Sequence, residues 1–115
     1  MLSLSPSCRY FLYAQPVIIS SSFYKLAAIV SEQMHYDPLT GDVYIFLNRR
    51  ATHIKLLQWQ QDGFAIYYKR LEKGTFEIPD TGQQLITVTQ LMLILQGIRL
   101  DKVQYRKRYV KTARH

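Results

Sequence analysis

Cysteine is almost absent from this 115-residue sequence, and long apolar runs are missing altogether. Cys8 alone cannot close an internal disulfide, so the chain suits a reducing compartment. No stretch approaches the about 20 apolar residues that cross a bilayer, and no charged segment precedes a short apolar block as in a signal peptide. We therefore expect a cytoplasmic protein that has no membrane partner.

The residue groups that build most catalytic and metal sites are also missing. His35, His53 and His115 are not at metal-ligand spacing with one another or with Cys8. The five glycines are isolated from each other, so the chain has no glycine-rich phosphate loop. The acids lie mostly at expected turns and helix surfaces, where exposure to solvent explains them. We expect no catalytic residue, no metal and no cofactor.

Positive charge is in excess, and it is concentrated at one terminus. The net charge is +7, from 15 bases and 8 acids. Residues 99–115 hold seven of these bases and one of the acids, so they carry +6 and the rest of the chain +1. The apolar fraction of 48% is typical of a folded protein, and the length suits one domain. We expect a single α+β domain at residues 1–100 and a basic C-terminal arm at residues 101–115.

Residues 41–79 have the pattern of an antiparallel meander, because short apolar runs alternate there with turn-forming residues. Residues 48–52 suit a hairpin loop. Asp62-Gly63 marks the next reversal, since glycine readily takes the positive φ of a tight turn. Pro79 ends the pattern, because proline cannot donate to a central ladder. The expected strands are Val43–Leu47, His53–Trp59, Phe64–Arg70 and 75–78.

Two helices complete the expected fold. Three serines precede the first and can cap it, while Thr87 and Gln90 have the spacing of a capping box before an apolar run that ends at Gly97. That run is apolar on every face, so the second helix is either buried or exposes one side to a partner. We expect the α+β class: a mostly antiparallel sheet of four to six strands, with helices near 22–34 and 88–96 packed against it. The first helix should bury a stripe of Phe23, Leu26, Ala27, Val30 and Met34.

Two surfaces are candidates for binding nucleic acid. The first is a cationic sheet edge beside Trp59, Tyr67 and Tyr68, whose rings offer stacking platforms while the bases neutralise phosphate. The alternative is that these bases only keep the hairpin soluble and protect the sheet edge from aggregation, and that Trp59 is a packing residue. The second surface is the arm, which would contact phosphate without reading sequence, or would be a solubilising tail. The candidate residues are Arg49, Arg50, Lys55, Lys69 and Arg70 in the sheet, and Arg106, Lys107, Arg108 and Lys111 in the arm.

The motifs RRxxxxKLLxW and DGFxxYYKRLExGxFxxP stand in this order between Arg49 and Pro79. With them the chain resembles, from about residue 2 to 99, the small accessory protein usually called TnpB that insertion sequences of the IS66 group carry. It departs from the family pattern at Gln60, where an aspartate is usual, and over residues 15–22, where the family has Gly-Pro-Thr-Asp-Met-Arg-Lys-Gly. The matching residues are Arg49, Arg50, Lys55, Leu56, Leu57, Trp59, Gly63, Phe64, Lys69, Arg70, Leu71, Glu72, Gly74, Phe76 and Pro79.

The resemblance implies a non-catalytic accessory protein that acts beside the transposase when the element moves. Two partners are open: the DNA of the element's ends, which would bring the protein to the nucleoid, and the transposase itself, bound through apolar surface such as the second helix. A small enzyme of unknown activity is the remaining alternative.

Overall fold

The computed structural model describes residues 4–80 and 82–97, which form one sheet and two helices. The α+β class is confirmed, and the three long strands of the meander begin and end where the sequence pattern placed them. The elements in chain order are β1 (Tyr10–Leu12), α1 (Phe23–Glu32), β2 (Val43–Leu47), β3 (His53–Trp59), β4 (Phe64–Arg70), β5 (Leu85–Ile86) and α2 (Val88–Gln96).

The sheet has five strands in the order β4-β3-β2-β1-β5. β2, β3 and β4 form the expected meander, in which Leu56 of β3 lies between Ile45 and Tyr67. β1 is parallel to β2, because α1 returns the chain to the end of the sheet where β1 began. β5 pairs antiparallel with β1. The sheet is therefore mixed but mostly antiparallel, as expected.

One face of the sheet packs against α1, and we call it the α1 face. Ser22 caps the helix by accepting a hydrogen bond from a backbone N–H of the first turn, at 3.3 Å. Leu26 and Val30 are fully buried and pack with Tyr44 and Phe46 of β2. These two helix residues belong to the stripe read from the sequence. The predicted stripe is wrong at its first residue, because Phe23 is 41% exposed.

The opposite face, the α2 face, packs against α2. Val43 and Ile45 of β2 point to this side, because side chains alternate along a strand. Leu91 and Ile94 of the helix are fully buried against them, whereas Met92 is 45% exposed. The second helix therefore has one buried and one exposed side.

Both ends of α2 are formed as the sequence indicates. The Thr87 hydroxyl accepts a hydrogen bond from the Gln90 N–H at 3.0 Å, and the Gln90 side chain accepts one from the Thr87 N–H at 2.8 Å. This reciprocal pair satisfies two N–H groups that the first turn leaves without helical partners. Gly97 then ends the helix in the left-handed region, with φ of 78°.

The strand expected at residues 75–78 is wrong, because this segment lies outside the sheet. Phe76 is buried in the core of the α2 face, and its N–H donates to the carbonyl of Ala51 at 2.7 Å. The segment therefore packs over the β2–β3 hairpin rather than extending the meander. A buried aromatic residue between turns gives the same short pattern in a strand and in an irregular segment.

The β3–β4 turn differs from expectation in one backbone detail. Gln61, not Gly63, has the positive φ, at 72°. Gly63 continues the ladder instead, since its carbonyl accepts from the Gln60 N–H at 2.8 Å. The position of the turn is as predicted, but the residue that takes the left-handed conformation is one the sequence did not indicate.

Candidate nucleic-acid interface

The β2–β3 hairpin holds Arg49 and Arg50 on an ordered turn. Asn48 organises it: its carbonyl oxygen accepts from the N–H groups of Thr52 and His53, both at 3.0 Å, and its amide donates to the Thr52 hydroxyl at 3.0 Å. These contacts replace strand pairing inside the loop, as asparagine commonly does in turns. The two arginine side chains are exposed, so this turn presents two cations to solvent.

The register of the sheet brings Arg70 to the same end as this hairpin. Arg70 lies opposite His53, and the N–H of the next residue donates to Thr52 in the hairpin at 2.9 Å. Lys69 lies one position earlier, opposite Ile54, and points to the α2 face. No ion pair joins these side chains to an acid within the described ranges 4–80 and 82–97. We call this cluster, Arg49, Arg50, Lys69 and Arg70, the basic end.

Lys55 is not a free member of the cluster. Its ammonium donates to the backbone carbonyl of Ser21 at 3.1 Å and lies 5.6 Å from the centre of the Tyr68 ring. Tyr68 is itself held by His53: the hydroxyl is 2.7 Å from Nδ1, and the two rings stack with centroids 5.8 Å apart. On the α1 face, Lys55 therefore links β3 to the segment just before α1.

The three aromatic residues expected beside these bases do not lie together in the structure. Tyr67 and Tyr68 are 37% and 49% exposed, but they point to opposite faces of β4. Trp59 is at the other end of β3, half-buried in an edge-to-face contact with Phe64, with centroids 5.0 Å apart. The expectation that Trp59 flanks the cationic cluster is wrong, and its packing interpretation agrees with this contact.

A polar network at the opposite end of the sheet was missed by the sequence analysis. Asp42 accepts from the backbone N–H of Arg9 at 3.0 Å, from its guanidinium at 2.8 and 3.1 Å, and from the Thr40 hydroxyl at 2.8 Å. We call these residues, Arg9, Thr40 and Asp42, the closed end. Arg9 and Asp42 each precede a strand by one residue, and only the parallel pairing of β1 with β2 makes them neighbours. The network could not be predicted because the sequence analysis did not include this parallel pairing.

The network shifts both partners' pKa values in the directions that favour charge. Burial alone would raise the pKa of Asp42, but hydrogen bonds from Arg9 and Thr40 outweigh it, and this pKa lies below the ordinary aspartate value. The same hydrogen bond raises the pKa of Arg9 above its ordinary value. The Arg9 guanidinium is thus paired with an acid of its own fold.

The remaining candidate bases, Arg106, Lys107, Arg108 and Lys111, lie outside the described residues, as does the whole arm from residue 101. Within the described part, no three His, Cys, Asp or Glu side chains are grouped as metal ligands. None of its helices has the length and apolarity needed to cross a membrane.

Two surface clefts lie within the described part of the chain. One, of about 480 Å³, is lined by Leu12, Ala14, 78–80 and 82–84, in which Asp80 is the titratable side chain. The other, of about 490 Å³, is lined by 39–41 and 58–61 and has no titratable side chain. Acid–base or nucleophilic catalysis needs convergent titratable groups, and neither cleft assembles them.

Taken together, the fold and these surfaces define a small α+β protein whose mixed sheet is covered by one helix on each face and has arginines at both ends. Comparison with known proteins then identifies the family of this protein. The sequence model of the family described as IS66 Orf2 like protein matches residues 8–105, and the chain belongs to this family. Its role is that of an accessory protein of an insertion sequence.

Two relatives come from Sinorhizobium fredii (strain NBRC 101917 / NGR234). Protein y4jC is 26% identical over 117 residues, covering 98% of this chain and 100% of the relative. Protein y4hO is 28% identical over 100 residues, covering 85% of this chain and 87% of the relative. Both carry the name uncharacterized protein, so they add no activity. No solved structure matches the chain.

Proposed function

We propose that this protein acts in transposition without catalysis, by binding the DNA of its insertion sequence through the basic end and the C-terminal arm. The observation that supports this most is the pair of exposed arginines on the hairpin, Arg49 and Arg50, which have no acidic partner in the described part of the chain. Phosphate oxygens match the fork of a guanidinium group. A surface of this kind gives affinity, orients the DNA and reads little sequence.

The arrangement favours duplex backbone over single strands. Binding of single strands usually combines cations with several rings along one groove. Here the exposed rings of Tyr67 and Tyr68 lie on opposite faces of β4, and Trp59 is at the far end of the sheet. A single strand running past the basic end would therefore meet one ring at most. Cations without a stacking surface are what a phosphate backbone requires.

The arm is proposed as the second part of the same interface. Its bases, including Arg106, Lys107, Arg108 and Lys111, stand close together near the C-terminal end of the sequence. A short basic terminus adds phosphate contacts that are independent of sequence. Deleting residues 105–115 should leave the fold intact, because all described strands and helices lie upstream.

Salt dependence of binding to unrelated duplexes tests this proposal. Each lost phosphate contact reduces the slope of log K against log salt by about 0.9, so Arg49→Gln/Arg50→Gln should reduce it by about 1–2 and deletion of residues 105–115 by about 3–4. Arg9→Gln is the matched control: it removes one cation, but one that Asp42 already holds. Unchanged slopes in both test variants would overturn the proposal.

The runner-up function is binding of the transposase through apolar surface. Met92 on the outer side of α2 favours it, because this side chain is 45% exposed and methionine is over-represented on promiscuous binding surfaces. Separate pull-downs with transposase and with end DNA distinguish the two. Capture of transposase that Met92→Lys abolishes, together with no DNA binding by the full chain, would replace DNA by the transposase as the direct partner.

A further inference from the structure

β4 is an edge strand whose outer side is open within the described part of the chain. The ladder shows which backbone groups face outward. Residues 60 and 63, and 52 and 71, are bonded partners, so the odd-numbered residues of β4 bond to β3. The even-numbered residues 64, 66, 68 and 70 therefore turn their N–H and C=O groups away from the sheet. Seven residues without proline, glycine or bulge make this edge a template for another strand.

The side chains along this edge are complementary to their own reverse order. Ile66 is in the middle, Phe64 and Tyr68 are two residues to either side, and Asp62 and Arg70 are four residues away. Alternate residues of a strand share a face, so Phe64, Ile66, Tyr68 and Arg70 point to the α1 side of β4, and Asp62 lies in the turn just before the strand. When two copies of this strand run antiparallel, an aromatic residue of one copy therefore faces an aromatic residue of the other, and an acid faces a base.

From this pattern we propose that the occupant of the edge is a second copy of the chain, whose β4 pairs antiparallel with the first about a two-fold axis at Ile66. The two Ile66 residues then form the central bonded pair, and Phe64 of each copy faces Tyr68 of the other. Arg70 of each copy lies opposite the turn that carries Asp62 of the other. Isologous contacts of this kind close on themselves and give a dimer rather than a fibre. The two described sheets would become one continuous sheet of ten strands.

Charge selects this register over its neighbours. Moving the axis by one residue, to Tyr67, places Arg70 opposite Phe64 and Asp62 opposite Glu72, so both ion pairs are lost and like charges face each other. Moving it to the other side, to Ala65, shortens the overlap and places Arg70 beyond the partner strand. Cross-strand aromatic pairs and opposite charges favour a pairing, and like charges oppose it. Only the axis at Ile66 satisfies all three pairs.

The first test is a charge swap read by analytical ultracentrifugation of the full chain. The parent should sediment as a dimer of about 27 kDa, twice 13.5 kDa. Asp62→Arg and Arg70→Asp, taken singly, each place like charges at both ends of the interface and should weaken the dimer at least about tenfold. The double variant Asp62→Arg/Arg70→Asp should recover the parent affinity. Glu32→Arg, on the exposed end of α1, controls for net charge.

The second test identifies the register by disulfide cross-linking in a Cys8→Ser background. A cysteine at position 66 faces its own copy across the axis at about 5.5 Å between Cα atoms, within disulfide range. Ile66→Cys should therefore form a covalent dimer on oxidation, whereas Tyr68→Cys alone should not. Thermal melting confirms that each variant is folded, since Ile66 is half-buried against the α1 side.

Three results of these tests would overturn the dimer proposal. A parent that stays monomeric at every concentration overturns the proposal, whether the edge is free or covered by residues 98–115. A dimer that ignores the charge swaps, or that cross-links at position 68 and not at 66, also overturns it. In the dimer Arg70 is paired with an acid and is withdrawn from the basic end, whereas Arg49 and Arg50 on the β2–β3 hairpin lie outside β4 and stay available to DNA. DNA binding is tested at Arg49 and Arg50, so this proposal and the proposed function can fail independently.

Discussion

The two ends of the sheet both carry arginine and use it in opposite ways. At the closed end, Arg9 donates to Asp42 through its backbone and its guanidinium, and the carboxylate is 10% exposed. At the basic end, Arg49 and Arg50 project from a hairpin whose order comes from Asn48 and not from their own side chains. The partner of each arginine, rather than the net charge, therefore decides whether it stabilises the fold or is available to a ligand. If the comparison holds, stability and DNA binding should respond at different ends.

The largest effect is expected from removing the carboxylate at the closed end. Asp42→Ala leaves the Arg9 N–H and the Thr40 hydroxyl without their acceptor, and should lower the free energy of unfolding by about 2–3 kcal/mol. Urea unfolding measures it. Glu32→Ala, at an exposed helical acid, is the control and should change stability by less than about 0.5 kcal/mol. Equal effects of the two variants would mean that the closed end is no more than a surface contact.

The next effect concerns the aromatic pair at the same end. Trp59→Ala should cost about 2 kcal/mol, less than the about 3–5 kcal/mol of a fully buried aromatic, because the ring is half-buried and rests edge-on against Phe64. Tyr24→Ala, at an 81% exposed ring, is the matched control. A Trp59 variant that melts like the parent but loses a partner would show that this ring is a binding contact.

A smaller effect, about 1–2 kcal/mol, is expected for Asp42→Asn, which keeps the shape and acceptor oxygen but removes the charge. Its pH dependence identifies the cause. The pKa of Asp42 is depressed in the folded state, so its contribution is present above the ordinary carboxyl pKa near 4 and is lost as the pH falls through the lower native value. The difference between parent and variant should therefore shrink toward zero as the pH falls from the ordinary carboxyl pKa through the lower native pKa. A difference that is constant from neutral to acid pH would assign the loss to packing.

The sequence predicted the parts of this fold that depend on local pattern. β3 and β4 match their expected bounds because turn-forming residues limit each apolar run, and α2 matches because Thr87, Gln90 and Gly97 each act within one turn of helix. The parallel contact of β1 with β2 was not predictable in the same way. It joins residues about 33 positions apart, and nothing in either segment records the partner.

The same difference between local pattern and long-range contact applies to the candidate site. That Arg49 and Arg50 occupy a hairpin tip follows from the polar residues between two apolar runs. The separation of Trp59 from them requires the strand direction, since His53 at one end of β3 faces Arg70 and Trp59 at the other end faces Phe64. Lys55 was grouped with the exposed bases, yet its contact with the Ser21 carbonyl depends on how α1 enters the fold. For these candidate residues, the position on the hairpin was predicted from local pattern, whereas the separation of Trp59 and the contact of Lys55 needed the three-dimensional fold.

The smallest effect on stability is expected where the effect on DNA binding should be clear. Arg49→Gln/Arg50→Gln should change the free energy of unfolding by less than about 0.5 kcal/mol, because neither guanidinium has an ion-pair partner among the described residues. At low salt the change should be toward greater stability, since two adjacent like charges are removed, and added salt should erase it. Arg9→Gln provides the contrast: it should destabilise the protein, because Asp42 keeps its charge in a partly buried site and loses its guanidinium partner. Urea unfolding of both variants at two salt concentrations makes the comparison. A clear loss of stability in the double variant would mean that these arginines already have a partner within the protein, and the basic end would then have no free cations to offer to phosphate.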